Sequence, residues 1–285
     1  MLELRVEHAG VALAASYSPA GEKAIVALHG AGEGTRDGAL YEHLHRVLPP
    51  AGIGVVTFDR RGEGDSSGDA SRGRFRVQTD DALAVIDAVE VDRVGLWGFS
   101  QGAWIAPLAA TLCERVAFLA LVASTGVTPA EQMAYATAEQ LRHAGYGEGV
   151  VARALELRRR FEERVRRGGR DSVLSADLLA ALDEPWFGHL FMPPVLLDDE
   201  GRALWIEEMD FDPRPVLRRI RVPTLCFFGA ADSWTPVEAS VRAWREERPE
   251  AEIAVLADAE HDLTLPDGTL APEYEHRLVD WLAGV

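Results

Sequence analysis

At 285 residues, 47% hydrophobic and 26% charged, the chain has the composition of a globular protein with material for one large core, or a core carrying an insertion. Its formal net charge of −17 argues against nucleic acid and anionic membrane surfaces as partners, since both would repel it. Two cysteines, Cys113 and Cys226, each in an apolar stretch, cannot form a disulfide framework and read as reduced core residues.

Residues 1–6 alternate like a strand and lack the apolar h-region of a signal peptide, and the longest apolar run, 116–123, is too short to cross a bilayer. A cytoplasmic location is expected. The first elements are strands over 2–7 and 11–17, joined as a hairpin around Ala9-Gly10. A strand over 24–28 precedes a helix near 37–48, and a strand over 54–58 precedes a helix near 75–89. Strands over 94–99 and 118–122 flank a helix that follows Ser100. These runs lack polar alternation, as parallel strands covered on both faces do. Strand and helix alternate, which implies a doubly wound, mostly parallel α/β sheet with right-handed crossovers.

The rhythm stops near 125 and resumes with a strand over 224–228, a helix near 237–247, a strand over 253–256 and a helix near 272–283, which brings the strands to eight. The expected division is therefore a core of 1–125 and 216–285 with a helical cap over 126–215, an interval too long for a loop. Within the cap, Val150, Ala154, Leu157, Phe161 and Val165 keep helical spacing. Arg164, Arg166 and Arg167 close that helix and read as a solvated end, with Gly168-Gly169 as its stop. A shorter helix near 176–182 takes Ser175 as its cap. The aromatic and sulfur-bearing side chains Trp186, Phe187, Trp205 and Met209 either fill the cap's own core or line a substrate pocket.

The chemistry-bearing residues fall at the carboxyl ends of the strands, where doubly wound sheets place their sites. Gly98-Phe99-Ser100-Gln101-Gly102 is a G-x-S-x-G at a strand-to-helix junction, the pattern of a nucleophile elbow. Asp232 follows the strand 224–228 and His261 follows the strand 253–256, so the order is Ser100, Asp232, His261. In this reading Ser100 is the nucleophile, His261 its base, and Asp232 the group that orients the ring. Asp258, Glu260 and Asp262 are alternative partners for His261, ranked lower because they are its sequence neighbours. Glycines in His29-Gly30-Ala31-Gly32-Glu33-Gly34 free backbone N–H groups to face a cavity. The expected oxyanion donors are the N–H groups of Ala31 and Gln101. His29 itself reads as a brace for this loop. No metal-ligand set or dinucleotide signature is present, so neither a metal nor an organic cofactor is expected.

These residues make the chain resemble the α/β-hydrolase superfamily over nearly its whole length. The resemblance rests on His29-Gly30, Asp59-Arg60-Arg61-Gly62-Glu63-Gly64-Asp65-Ser66, the 98–102 elbow, Asp232 and His261. It implies that the 59–66 segment fixes loop geometry. Residues 100–107, with Gln132 and Tyr135, resemble bacterial carboxylesterases and prolyl-oligopeptidase-like relatives; Ala103 departs from their further glycine. The expectation is a carboxylic ester hydrolase working through an acyl-Ser100 intermediate on a small-molecule ester, as a monomer or homodimer. A thioesterase, lactonase or acyltransferase would use the same residues. An aminopeptidase would need acidic groups such as Glu131, Glu207 or Glu208 to hold a free amino terminus. A non-catalytic binding scaffold would show a broken triad.

Overall fold

A computed structural model describes residues 1–32, 34–70, 74–168, 176–192 and 198–285. Ser175, named above as a helix cap, lies outside them, as does Glu33 of the glycine-rich loop. The chain divides into two compact units. The first comprises Met1–Gly126, Pro213–Asp232 and Val237–Val285; the second comprises Val127–Asp212 and Ser233–Pro236.

The first unit is built on an eight-stranded sheet. Its strands are β1 (Leu2–His8), β2 (Val11–Ser18), β3 (Lys23–Leu28), β4 (Ile53–Phe58), β5 (Arg93–Phe99), β6 (Val116–Val122), β7 (Thr224–Gly229) and β8 (Glu252–Leu256), in spatial order β1-β2-β4-β3-β5-β6-β7-β8. Among the described residues, the β1–β2 and β2–β4 pairings of this sheet are antiparallel and its other strand pairings are parallel. Ala9 and Gly10 turn the β1–β2 hairpin with φ of 50° and 75°, the left-handed pair that a tight two-residue hairpin requires. Five helices of ordinary length cover the sheet: α1 (Ala39–Val47), α2 (Phe75–Asp87), α3 (Gly102–Leu112), α9 (Val237–Glu247) and α10 (Pro272–Gly284). The short α8 (Arg214–Leu217) leads back into β7.

Strands β3, β4, β6 and β7 are apolar along almost their whole length because both of their faces are covered. One core cluster runs from Ile25 and Leu44 through Trp97, Phe118 and Phe227 to Tyr274 and Leu282. Each such side chain contributes roughly 1.5–3 kcal/mol on full burial. The polar atoms carried into this core are paired: Trp97 Nε1–H donates to the Tyr274 hydroxyl at 2.9 Å.

Register fixes where the site can form. Leu28 at the end of β3 pairs with Gly98, Phe99 with Val122 of β6, and Val122 with Phe227 of β7. Gly229 at the end of β7 then pairs with Leu256 of β8. The carboxyl ends of β3, β5, β7 and β8 therefore open on one edge of the sheet.

The second unit carries helices α4 (Pro129–His143), α5 (Glu148–Arg167), α6 (Ala176–Ala181) and α7 (Asp199–Met209). A capping box starts α4: Thr128 Oγ1 accepts from Glu131 N–H, while Glu131 accepts from Thr128 N–H. The buried stripe of α5 is Val151, Ala154, Leu157, Phe161 and Val165, so the stripe starts at Val151 and Val150 lies at its margin. Two charged residues interrupt this face. Arg158 and Glu162 are buried as a pair at 2.9 Å, and Arg158 donates to the Leu190 carbonyl at 2.6 Å. Arg166 departs from the expected solvated helix end. Its guanidinium reaches both oxygens of Asp210, at 2.6 to 3.0 Å, and fixes α5 to the end of α7.

Candidate active site

Ser100 has φ of 52°, a left-handed conformation that costs a non-glycine residue energy and marks the sharp elbow between β5 and α3. The turn closes only because its flanks lack side chains. A Cβ on Gly98 would lie 2.5 Å from the Gly102 carbonyl oxygen, and one on Gly102 would lie 2.4 Å from that of Leu28. Ser100 N–H donates to the Val122 carbonyl at 2.9 Å, which extends the sheet's bonding into the turn. Ala103, the departure from the resembled pattern, is buried in the first turn of α3, and its N–H donates to the Ser100 carbonyl at 2.9 Å.

A tight loop brings the histidine to the serine. Glu260 N–H donates to the Thr264 carbonyl at 2.8 Å and Leu263 N–H to the Glu260 carbonyl at 3.0 Å, which folds the loop around His261. The loop after β7 is bound to it, since Ala230 N–H donates to Leu256 and Ala231 N–H to Ala259, at 2.8 and 2.9 Å. Gly229 permits this approach: a Cβ there would fall 2.2 Å from the carbonyl oxygens of Ala259 and Glu260.

The result is one chain of contacts. His261 Nε2 lies 2.9 Å from Ser100 Oγ, and His261 Nδ1 lies 2.8 Å from Asp232 Oδ2. The Asp232 side chain is fully buried, while that of His261 keeps 18% exposure. The Phe99 ring packs against the imidazole at 5.1 Å between centroids. Of the other acids weighed, Asp262 is engaged with Thr264, accepting from its N–H and hydroxyl at 3.1 and 2.6 Å.

The glycine-rich loop after β3 lies against this elbow, as a Cβ on Gly30 would stand 3.6 Å from Ser100 Cβ. Among the described residues, the N–H groups of Ala31 and Gln101 have no hydrogen-bond partner. His29 is buried beneath the loop, its Nε2 at 2.5 Å from the Phe58 carbonyl and its Nδ1 at 2.8 Å from the Tyr41 hydroxyl. Burial, more than any neighbour, pushes this imidazole down to about 4, so it stays neutral. Two contacts here had no sequence signal or only a partial one. Gln78 of α2 donates to the Gln101 side chain at 3.1 Å, with nothing in its pattern to announce it. Arg60, inside the 59–66 segment, donates to the carbonyls of Gly30 and Gly32.

The four residues named from the second unit are placed within it as follows. Trp186 is core, clustered with Leu141, Ala154 and Leu190 and covered by the Arg153 guanidinium at 5.3 Å. Phe187 packs on two clusters, Trp205 meets the Phe161 ring edge-on at 6.0 Å, and Met209 is half-buried at the end of α7. Glu131 is committed to its capping box.

A separate polar cleft of about 670 Å³, lined among others by Arg36, His45, Thr57 and Asp59, contains none of Ser100, Asp232 or His261. Within it, Arg36 pairs with Asp59 and Asp65. Among the described residues no cluster of His, Cys, Asp and Glu is arranged to hold a metal ion, and no helix is long and apolar enough to cross a membrane.

Sheet order, elbow and strand-end loops together define a class, and comparison with known proteins gives it a name. Residues 25–272 match the family model described as "Alpha/beta hydrolase family", and the chain belongs to that family. Among curated relatives, lysophosphatidylserine lipase ABHD12 of Bos taurus is 45% identical over 96 residues, which is 32% of this chain and 23% of the lipase. The chain thus spans under a quarter of that relative's length. An uncharacterized 31.7 kDa protein of Escherichia coli is 24% identical over 66% of this chain and 65% of its own length. Of solved structures, a Bacillus anthracis bromoperoxidase has TM-score 0.64 at 20% identity, with 99% of each chain covered. A Pyrococcus furiosus esterase has TM-score 0.62 at 16% identity, covering 99% of this chain and 91% of its own. A Mycobacterium smegmatis proline iminopeptidase has TM-score 0.65 at 15% identity, covering 99% and 98%. These likenesses concern the fold.

Proposed function

We propose that the chain is a serine hydrolase that cleaves carboxylic esters through an acyl-Ser100 intermediate. The observation that carries the reading is the unbroken contact chain Ser100 Oγ–His261 Nε2–His261 Nδ1–Asp232 Oδ2. A carboxylate only accepts hydrogen bonds, so the proton of the neutral ring sits on Nδ1 and donates to Asp232. Nε2 is then a free base facing the serine hydroxyl.

As Ser100 Oγ bonds to the carbonyl carbon, His261 Nε2 takes the hydroxyl proton and Asp232 stabilises the imidazolium that results. The carbonyl electron pair moves onto oxygen, where the N–H groups of Ala31 and Gln101 receive it; each such donor contributes roughly 2.7–4 kcal/mol of transition-state stabilisation. Collapse of the tetrahedral species expels the alcohol, which takes the proton back from His261. Water then repeats the sequence on the acyl-enzyme and restores Ser100.

An ester is preferred over an amide for two reasons. The curated relatives of the best-matched stretch are lipases by name. Glu131, a candidate for holding a substrate amino terminus, is spent on capping α4.

The test is a panel of p-nitrophenyl esters of increasing acyl length beside aminoacyl arylamides, run on wild type, Ser100→Ala and His261→Ala. Ester turnover that vanishes in both Ser100→Ala and His261→Ala is the expected outcome. Arylamide turnover without ester turnover would replace the esterase by a peptidase. A Ser100 that neither turns over substrate nor reacts with a fluorophosphonate would leave a binding scaffold.

A further inference from the structure

Arg60 is a buried cation that the reaction as proposed does not use. It lies at the start of the 59–66 segment, yet its side chain turns to the glycine-rich loop. One terminal nitrogen donates to the Gly30 carbonyl; the other donates to the Gly32 carbonyl at 3.3 Å and to Glu63 Oε1 at 3.1 Å. Glu63 completes the frame, since its second oxygen accepts from Gly34 N–H at 2.6 Å. The backbone closes it as well, with Arg60 N–H donating to the Gly34 carbonyl at 2.7 Å. An Arg60–Glu63 pair thus grips the loop at Gly30, Gly32 and Gly34.

The consequence follows from peptide geometry. The C=O of Gly30 and the N–H of Ala31 belong to one planar trans unit and point in opposite directions. A guanidinium that holds the carbonyl on one side sets the direction of the N–H on the other. A cation on the carbonyl oxygen also polarises the amide and strengthens its N–H as a donor. We propose that Arg60 is the positioning residue of the oxyanion hole: through the Gly30–Ala31 peptide it aims and polarises the Ala31 N–H that receives the developing oxyanion, with Glu63 fixing the guanidinium. The inference rests on the serine hydrolase reading and adds to it a charged group that never touches substrate.

The experiment compares wild type with Arg60→Met, Arg60→Lys and Glu63→Gln. It reads kcat and KM on a p-nitrophenyl ester, the pH profile of kcat/KM, and affinity for a trifluoromethyl ketone. That ketone bonds to Ser100 Oγ; its carbonyl pair becomes an oxyanion and the serine proton passes to His261, so its affinity measures the hole directly. Arg60→Met is expected to lower kcat ~10- to 100-fold, below the ~10²- to 10³-fold seen when a donor is lost outright. KM stays within about twofold, ketone affinity falls by the same factor as kcat/KM, and the acid limb of the profile keeps its position because His261 and Asp232 are untouched. Arg60→Lys keeps the charge but not the fork, and falls between. Glu63→Gln repeats the pattern at smaller size.

Folded Arg60 variants with wild-type kcat and ketone affinity would overturn the assignment. So would a loss of kcat with unchanged ketone affinity, or a shifted acid limb. Should Arg60→Met not fold, Arg60→Lys and Glu63→Gln decide by the same readouts. Wild-type protein that neither cleaves esters nor binds the ketone at Ser100 would remove the hydrolase reading and this role with it. Wild-type turnover indifferent to Arg60 removes this role alone.

Discussion

Asp232 and His29 are both buried, and each tests a different part of the site. Asp232 accepts from His261 Nδ1 and so selects the tautomer whose Nε2 is a base. Asp232→Asn puts an amide where the acceptor was and allows the ring to settle with its proton facing Ser100. The expected loss in kcat is on the order of 10⁴-fold with KM little changed, read by steady-state kinetics beside a circular dichroism control. A loss under tenfold would transfer the orienting role to another acid. His29 works through stability. Its neutral ring is held down to about 4 in the folded protein against 6.5 ordinarily. Between these values the unfolded chain binds a proton that the folded one refuses. Stability from this site is therefore complete above pH 6.5 and is lost as pH falls toward 4. From pH 7 to pH 5 the loss is on the order of 2 kcal/mol, and burial lowers His43 and His45 in the same sense. Urea unfolding at the two pH values should give a clearly smaller difference for His29→Asn than for wild type; equal differences would place the pH dependence elsewhere.

At the level of elements, the strands were legible because burial on both faces leaves uninterrupted apolar runs, as in Ala24-Ile25-Val26-Ala27-Leu28. The hairpin was legible from Ala9-Gly10, and its geometry carries a prediction. Ala9 adopts φ of 50°, where an alanine is strained and asparagine or glycine is not. Ala9→Asn places Asn-Gly at a turn that favours it and is expected to raise stability by up to ~1 kcal/mol. Thermal unfolding checks this, and a lowered Tm would mean that the turn is not the left-handed pair described. The second unit was less legible. Its apolar stripe on α5 could be read from spacing, but Arg158 and Glu162 on the same face could not, because a charged pair satisfied across one helical turn looks in sequence like a solvated edge. The Arg166–Asp210 pair joins residues far apart in the chain, and no local pattern predicts which surface arginine finds such a partner.

For the whole molecule, the site was legible to the extent that strand ends converge. Once the sheet is doubly wound, Ser100, Asp232 and His261 must share an edge, and the register of β3, β5, β7 and β8 brings them there. Arg60 and Gln78 could not be found this way, since they act from loops and helices behind the strand ends. One further property belongs to the entire chain: a net charge of −17, spread through the sequence. Such a surplus repels anionic substrates during approach, and the repulsion is screened when the Debye length falls from ~30 Å at 0.01 M salt to ~8 Å at 0.15 M. Two esters with the same acyl group, one with a neutral and one with an anionic alcohol portion, separate this effect from binding in the site. With the anionic ester, kcat/KM should rise several-fold across that salt range, while the neutral ester stays flat. The increase should lie in kcat/KM and not in kcat, because approach and not chemistry is being screened. A salt-independent anionic ester, or one preferred at low salt, would point to a local cluster of positive charge near the site that outweighs the net charge, and would make esters with an anionic alcohol portion the substrates to try first.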